Sequence, residues 1–503
     1  MSDPIDRKGL PPRFWEKKPL KALTPQEWEA LCDGCGKCCL NKLEDEDTGQ
    51  VELTCVACRL FDDASCRCSQ YEIRHQFVPE CIVLTPENID SHAYWMPKTC
   101  AYRLLWQGKP LPDWHPLISG TPESVHAAGV SMQHKTVPEF EIDDDDWEDH
   151  IIEEPTEMFF ASDNTGPVHP RVMEALAEAN AGHMPSYGSD DLTRQAEDRI
   201  REIFEAPEAA VYLVATGTTA NALALACLTR PWDTVFCTPE AHVQVDECNA
   251  PEFYTGGAKL TLVGEADRMT PAALDAAMTH HGSGDVHIAQ SGPVSLTQVT
   301  ENGRLYALDE LRALTGVAKR HANTVHLDGA RFANAIAALG CTPAEMTWRA
   351  GVDVVSFGGT KNGLMGAEAV VLFDPAKARE FELRRKRGAH LHSKHRYLAA
   401  QMLAYLDDGL WLEMAAAANA NTARLAEGLR GCSEAALLYE VQANMIFCTL
   451  PRGLHRKLHT AGARYTLFGS LDGPEDEAVR ARFVCDWSVS KTDIDRFTGL
   501  LGA

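Results

Sequence analysis

The sequence predicts an α/β chain: a large domain on a mostly parallel sheet, a small C-terminal α+β domain, and a small cysteine-rich domain in front of both. Three observations predict it. Between residues 171 and 357, short apolar runs alternate with helical patterns, as in a parallel sheet covered by helices on both faces. From residue 416, an Ala/Asn-rich helical stretch gives way to short strand-like segments and a last helix. Ten of the 17 cysteines fall before residue 101. At 503 residues the chain is long enough for two or three domains with sizeable cores.

The opening residues Met1-Ser2-Asp3-Pro4-Ile5-Asp6 lack the apolar core of a signal peptide. No stretch of about eighteen apolar residues, as a transmembrane helix needs, occurs in the sequence. The lack of a signal peptide points to the reducing cytoplasm, where disulfides are rare and dense cysteines more often bind metal. Cys32-Asp33-Gly34-Cys35-Gly36-Lys37-Cys38-Cys39 packs four thiols into eight residues. Cys55, Cys58, Cys66, Cys68, Cys81 and Cys100 follow. A CxxC pair spans one edge of a tetrahedral metal site, and glycines between ligands let backbone N–H groups point at sulfur. Ten thiols exceed the four that one zinc takes, so two zinc ions, an Fe–S cluster with spare thiols, or a mixture all fit.

This first domain is expected over residues 1–150. The acidic run Asp143-Asp144-Asp145-Asp146 reads as its solvated edge, and 151–157 as a linker around Glu153-Glu154-Pro155-Thr156. Residues 158–503 form the second part, with its large domain over about 180–415 and its small one over about 416–503. The net charge is −25, and both parts are acidic. Nucleic acid and anionic membrane surfaces are excluded as partners, since both require a basic face.

In the second part, 171–180 and 192–204 carry apolar residues at helical spacing. Strands are expected at 211–215, 234–237, 259–263, 286–290, 324–328 and 352–357. Thr216-Gly217-Thr218-Thr219-Ala220-Asn221 follows the first strand and opens a helix, so it offers free N–H groups and a positive dipole end to a phosphate. His242 follows the second strand and could stack on a flat heteroaromatic ring. Asp328-Gly329-Ala330-Arg331 closes the fifth strand. Ser356-Phe357-Gly358-Gly359-Thr360-Lys361-Asn362 closes the sixth. An acid ending one strand, then a lysine in a Gly/Thr turn about thirty residues on, is what pyridoxal 5′-phosphate (PLP) needs. The lysine tethers the cofactor as a Schiff base, and the carboxylate keeps its ring nitrogen protonated. Alone, a lysine in a glycine-rich turn is usually a surface lysine; the ordered pair points to PLP. Arg482 heads a late strand, and its fork suits an amino-acid carboxylate. In such sheets ligands sit at the carboxyl ends of the strands, where these residues converge.

Seven ordered motifs carry a resemblance. To those above are added Phe160-Ala161-Ser162-Asp163-Asn164, Tyr187-Gly188-Ser189-Asp190-Asp191, Ala241-His242-Val243-Gln244-Val245-Asp246-Glu247-Cys248 and Ser295-Leu296-Thr297-Gln298. Over about two thirds of its length the chain resembles the low-specificity L-threonine aldolases, PLP enzymes of the aspartate-aminotransferase fold. The resemblance implies Lys361 as the Schiff-base lysine, Asp328 as the ring-nitrogen partner, Arg331 near the ring hydroxyl and His242 stacked on the ring. It implies that Gly217, Thr218 and Thr360 hold the phosphate and that Ser162 and Arg482 hold the substrate carboxylate. It further implies a homodimer or homotetramer with shared active sites, acting on a small amino acid. Two departures stand out. The usual Tyr-Gly-Asp-Asp gains Ser189. The loop Gln298-Val299-Thr300-Glu301-Asn302-Gly303 has no histidine where some relatives carry one, which leaves His242, a bound water or Glu301 to take the substrate hydroxyl proton.

The first domain resembles a small bacterial family named for its CxxCxxCC cluster and described as zinc- or iron-chelating. The likeness rests on Trp28-Glu29-Ala30-Leu31-Cys32-Asp33-Gly34-Cys35, Leu43-Glu44-Asp45-Glu46-Asp47-Thr48, Thr99-Cys100-Ala101-Tyr102-Arg103-Leu104-Leu105 and Leu111-Pro112-Asp113-Trp114-His115-Pro116-Leu117. It implies zinc or iron and no reaction. The expected activity is aldol cleavage of L-threonine, L-allo-threonine or a related β-hydroxy-α-amino acid to glycine and an aldehyde. Two other classes stay open. One is a different PLP lyase of this fold, β-eliminating or acting on phenylserine-type substrates. The other is a metal- or redox-sensing module with the PLP half as its output.

Overall fold

Tight turns and buried apolar runs divide the chain into two units, Met1–Glu157 with His459–Gly462, and Met158–Leu458 with Ala463–Ala503. The computed structural model describes residues 5–45, 49, 51–112, 114–152 and 157–502. Residues 1–4, 46–48, 113 and 153–156 of the segments quoted above lie outside the described residues.

In the first unit, Val51–Ala57 pairs antiparallel with Leu40–Glu44 and with Ile151–Ile152, and parallel with Val137–Pro138. Beside this sheet, short helices bury Phe14, Trp28, Leu31, Ile89 and Tyr102 in one core. The helix Pro25–Ala30 starts at a capping box: Thr24 accepts from the Glu27 amide and Glu27 accepts from the Thr24 amide. It delivers the chain directly into the cysteine segment.

The second unit is built on seven strands: β1 (Ala210–Val214), β2 (Asp233–Cys237), β3 (Lys259–Leu262), β4 (Gln290–Thr297), β5 (Val325–Gly329), β6 (Val354–Gly358) and β7 (Glu368–Leu372). Their spatial order is β3-β2-β4-β5-β6-β7-β1. All run parallel except β7, which is antiparallel to both β6 and β1. The helix Gly217–Leu228 is buried from Thr219 to Cys227, so it has no solvent-facing stripe along that span.

Two details correct the sequence reading. The fourth strand is not 286–290 but Gln290–Thr297. Gly292-Pro293 reads as a turn, yet a Cβ at Gly292 would stand 2.4 Å from the Thr234 carbonyl oxygen, so glycine is what lets β4 approach β2. Pro293 sits where the β4–β2 register shifts and no ladder N–H is required. The second correction is β7 itself, a short run after a glycine-rich loop that the strand pattern passed over.

The small domain has an antiparallel sheet of β8 (Ala436–Leu437), β9 (Met445–Pro451), β10 (Thr466–Phe468) and β11 (Ala478–Val484), ordered β8-β9-β11-β10. The helix Leu410–Gly431 serves both domains. Leu410, Trp411 and Met414 pack in the large core, whereas Leu425, Ala426 and Leu429 pack in the small one. Met158–Phe159 pairs with Ala463–Arg464, and Phe160 is buried in the small core. That pairing carries Ser162 and Asp163 to the small domain's edge.

Candidate active site and thiol cluster

The site gathers at the carboxyl ends of the parallel strands. Asp328, on β5, is buried, with Oδ2 accepting from Asn221 Nδ2 at 2.8 Å and Oδ1 accepting from the Ala330 amide at 3.0 Å. The same Asn221 Nδ2 donates to Glu247 Oε1 at 2.8 Å. Glu247 is buried and accepts from His242 Nδ1 at 2.9 Å. Burial raises the Glu247 carboxyl, and the bond to Glu247 raises His242. Because Nδ1 is committed to Glu247, Nε2 is the ring atom His242 has to offer.

Lys361 sits in the turn Thr360–Asn362 that follows β6. The charge of Arg331 first, and burial second, lower its amine from the usual value, which favours a neutral nucleophile. Arg331 donates from Nε and Nη2 to the two oxygens of Asp163, at 2.6 and 2.9 Å. Asn444 Nδ2 donates to Asp163 as well, at 2.9 Å. Burial alone would raise Asp163; Arg331 and Lys361 outweigh it and hold the carboxyl below its usual range. Two nitrogens of the Arg331 fork are thus bound to Asp163.

Thr216 caps the helix Gly217–Leu228 by accepting from the Thr219 amide at 3.2 Å. The first-turn amides of Gly217 and Thr218 have no partner within the helix. A Cβ on Gly217 would meet nothing within 4 Å, so space stands open above that N-terminus. Arg482, on β11, donates from Nη2 to the Ala161 carbonyl and to Thr466 Oγ1, both at 3.2 Å, while its Nε is buried without a hydrogen-bond partner. Ser162 Oγ accepts from the Asn164 amide at 3.2 Å. Thr360 Oγ1 lies 2.6 Å from Glu368 Oε1, on β7.

Glu301 accepts with Oε1 from the His242 amide and from Thr297 Oγ1, at 2.9 and 2.8 Å. Its Oε2 is buried without a partner, and burial pushes the carboxyl up to about 7. Asp163, Asn221 and Glu247 lay inside quoted motifs but received no role. Glu368 lay outside them; a single acid before the apolar run Ala369-Val370-Val371-Leu372 was its only signal.

A buried acid, a lysine in the turn ending the next strand and an open helix N-terminus fit PLP in donor chemistry and in space. Together they define the class, an α/β enzyme of the PLP fold type. The chain belongs to the Beta-eliminating lyase family through residues 160–450 and carries at residues 31–101 a domain of the family described as "Putative zinc- or iron-chelating domain". It is 42% identical over 339 residues to a low specificity L-threonine aldolase of Pseudomonas aeruginosa, a match covering 67% of this chain and 94% of the relative. Among solved structures, a Leishmania major threonine aldolase matches with a TM-score of 0.63 and 26% identity, over 69% of this chain and 98% of that one. A Sphingomonas wittichii serine palmitoyltransferase, at 18% identity and a TM-score of 0.52 over 69% of this chain and 86% of its own, shares the fold alone. The N-terminal part is 64% identical over 146 residues to a UPF0260 protein of Rhodobacter capsulatus, covering 29% of this chain and 97% of the relative.

All 17 cysteines are free thiols. Cys32, Cys35, Cys38 and Cys100 line one cavity of about 40 Å³ together with Asp33, whose Oδ2 is buried without a partner. Three residues of the quoted motifs hold the segment that lines it. Tyr102 donates to the Trp28 carbonyl at 3.0 Å, Trp28 Nε1 donates to the Leu84 carbonyl at 3.0 Å, and the buried His115 donates from Nε2 to the Leu31 carbonyl at 3.0 Å. Gly34 has φ +83, a left-handed conformation, and a Cβ there would lie 2.7 Å from the Arg67 guanidinium. Burial raises the thiols of Cys32, Cys35 and Cys100. Cys55 Sγ stands 3.7 Å from His150 Nδ1. Among the described residues, no three His, Cys, Asp or Glu side chains already stand as a ligand set. The donors suit zinc or iron, and their array would have to close around the ion. Cys39, Cys58, Cys66, Cys68 and Cys81 do not line this cavity. Among the described residues no helix is long and apolar enough to cross a membrane.

Proposed function

We propose that the C-terminal half cleaves L-threonine, L-allo-threonine and related β-hydroxy-α-amino acids to glycine and an aldehyde, with PLP as cofactor. The observation that carries this reading is the buried Asp328, clamped by Asn221 on the strand beside the Lys361 turn. Bound PLP supplies an electron sink for the carbanion left at Cα when the Cα–Cβ bond breaks. Asp328 keeps the ring nitrogen protonated, and Asn221 fixes its orientation. Lys361, its amine lowered by Arg331, is the tether. The amides of Gly217 and Thr218 hold the phosphate at the positive helix end. Arg482 and Ser162 anchor the substrate carboxylate, and that anchor decides which Cα bond stands perpendicular to the ring and breaks. His242 Nε2, with Glu247 behind Nδ1, takes the proton of the substrate hydroxyl. The N-terminal domain binds zinc or iron through cysteines, beginning with Cys32, Cys35, Cys38 and Cys100.

Product analysis tests this reading. Incubation with L-threonine should release glycine and acetaldehyde in equal amounts. Ammonia with a keto acid in their place would move the enzyme to β-elimination.

A further inference from the structure

β7 places one acid, Glu368, beneath the turn that carries Lys361. Its Oε2 accepts from the Gly359 amide at 2.9 Å, and its Oε1 lies 2.6 Å from Thr360 Oγ1. The side chain is buried, 6% exposed, and its register partners Gly358 and Val214 carry no charge. The titratable groups facing it are Lys361 after β6, Asp328 on β5, and Tyr405 on the helix Arg396–Leu406. Among the described residues no cation forms an ion pair with it. A buried carboxylate so placed is costly as an anion. Burial pushes Glu368 up to about 7, against the hydrogen bonds from Thr360 and Gly359.

The Thr360 hydroxyl has a single proton. With Glu368 ionised, that proton is spent on Oε1, and Thr360 presents only lone pairs. With Glu368 neutral, the acid's own O–H can donate to Thr360 Oγ1, and the Thr360 proton is free to point at an anion beside the turn. A cofactor phosphate needs the second arrangement, and it also repels an ionised Glu368.

We propose that Glu368 is a positioning residue for the cofactor phosphate: its neutral form donates to Thr360 Oγ1 and so makes the Thr360 hydroxyl a phosphate donor. This rests on the reading that Thr360 touches the phosphate. The balance is simple. Where Glu368 is ionised in the empty site, loading the cofactor takes up one proton, which goes to Glu368 Oε1. Cofactor affinity therefore falls as pH rises through the titration of Glu368.

The test uses the full-length protein stripped of cofactor and titrated with pyridoxamine 5′-phosphate. That probe has no aldehyde, so it reads the phosphate seat without the bond to Lys361. Above about pH 7 its phosphate is already a dianion, and the linkage of its ring nitrogen to Asp328 is common to wild type and Glu368→Gln, so the difference between their slopes reads Glu368 alone. From about pH 7 to 9 the wild-type Kd should rise about tenfold more per pH unit than that of Glu368→Gln, the slope of one linked proton. In Glu368→Gln the amide N–H donates to Thr360 permanently and the amide oxygen accepts from Gly359. Its Kd near pH 6.5 should stay within about threefold of wild type and then rise with pH only as the ring nitrogen held by Asp328 dictates. A Glu368→Gln protein that keeps the wild-type slope overturns the proposal. Thr360→Val should weaken binding near pH 6.5 and lose the extra slope. Wild-type affinity in Thr360→Val would also overturn it, by removing the phosphate contact on which it rests. Pyridoxamine, which lacks the phosphate, should show the same slope in wild type and in Glu368→Gln. Should Glu368→Gln fail to fold, proton uptake by wild type decides: at pH 8, about one proton more taken up per pyridoxamine 5′-phosphate bound than per pyridoxamine supports the proposal, and equal uptake overturns it.

Discussion

The two units bury reactive groups on different terms. In the catalytic unit the chain itself supplies each of three buried acids with partners, though Glu247 Oε2 and Glu301 Oε2 stay without one. Asp328 has Asn221 and the Ala330 amide, Asp163 has Arg331 and Asn444, and Glu247 has His242 and Asn221. In the cysteine unit, Cys32, Cys35 and Cys100 are enclosed with their thiols pushed up by burial, and Asp33 keeps an oxygen with no partner. The difference teaches what each unit lacks. The first is arranged for its cofactor before the cofactor arrives, with oriented dipoles and paired charges. The second has donors that become ligands only on losing protons, and an ion must supply that driving force.

The largest effect should come from removing the tether. Lys361→Ala is expected to abolish cleavage and the borohydride-reducible lysyl adduct, read by mass spectrometry. An adduct still formed at wild-type level would place the tether on another lysine and break the picture of a prearranged turn. Next comes Asp328→Asn, which keeps the shape and removes the charge. Activity should fall on the order of 10³-fold, by analogy with other carboxylates that fix a ring's protonation. Bound PLP, read by absorbance, should remain. Activity within about threefold of wild type would show that Asp328 is not the ring partner.

A smaller effect is expected at the substrate anchor. Arg482→Lys keeps the charge and loses the fork. Losing about 1.5–3 kcal/mol of charged hydrogen bonding should raise the KM for threonine on the order of 10–100-fold at unchanged PLP content. Lost PLP with normal KM would instead make Arg482 part of the scaffold between β11 and β10.

The smallest effect on catalysis should follow from stripping metal. Protein purified without oxygen should carry zinc or iron, and less than about a tenth of an equivalent by elemental analysis would leave the cysteines as redox thiols. A strong chelator should destabilise only the cysteine unit, as a lowered transition in calorimetry, because a structural metal contributes folding free energy on the order of 10 kcal/mol in small domains. Aldol cleavage should stay within about twofold. Metal retention should weaken as pH falls, because the buried thiols must be deprotonated to bind. A matching loss of cleavage would show that the units are coupled.

Much of the site was legible because its residues lie next to the local structures that deliver them. The Asp328 and Lys361 motifs each end a strand, and the Gly217-Thr218 turn opens a helix with its own cap. The cysteine spacing carried its chemistry in eight residues. The boundary at 416 was less legible, because one helix runs through it and gives its first turns to one core and its later turns to the other. The strand expected at 286–290 was misplaced for a similar reason. Gly292-Pro293 looks like a turn locally and is allowed in β4 only by the neighbouring strand.

The sequence by itself determined the class of enzyme, the strand-end turns that carry Asp328 and Lys361, and the crowded thiol segment, since turns, caps and strand ends are set by residues a few positions apart. The tertiary structure decided how the buried charges are satisfied. Asn221 reaches Asp328, Arg331 reaches Asp163, and the antiparallel β7 brings Glu368 back under Thr360. Those pairings join segments far apart in the chain, and burial makes them obligatory, because a polar group taken out of water must find its partner wherever the fold places one.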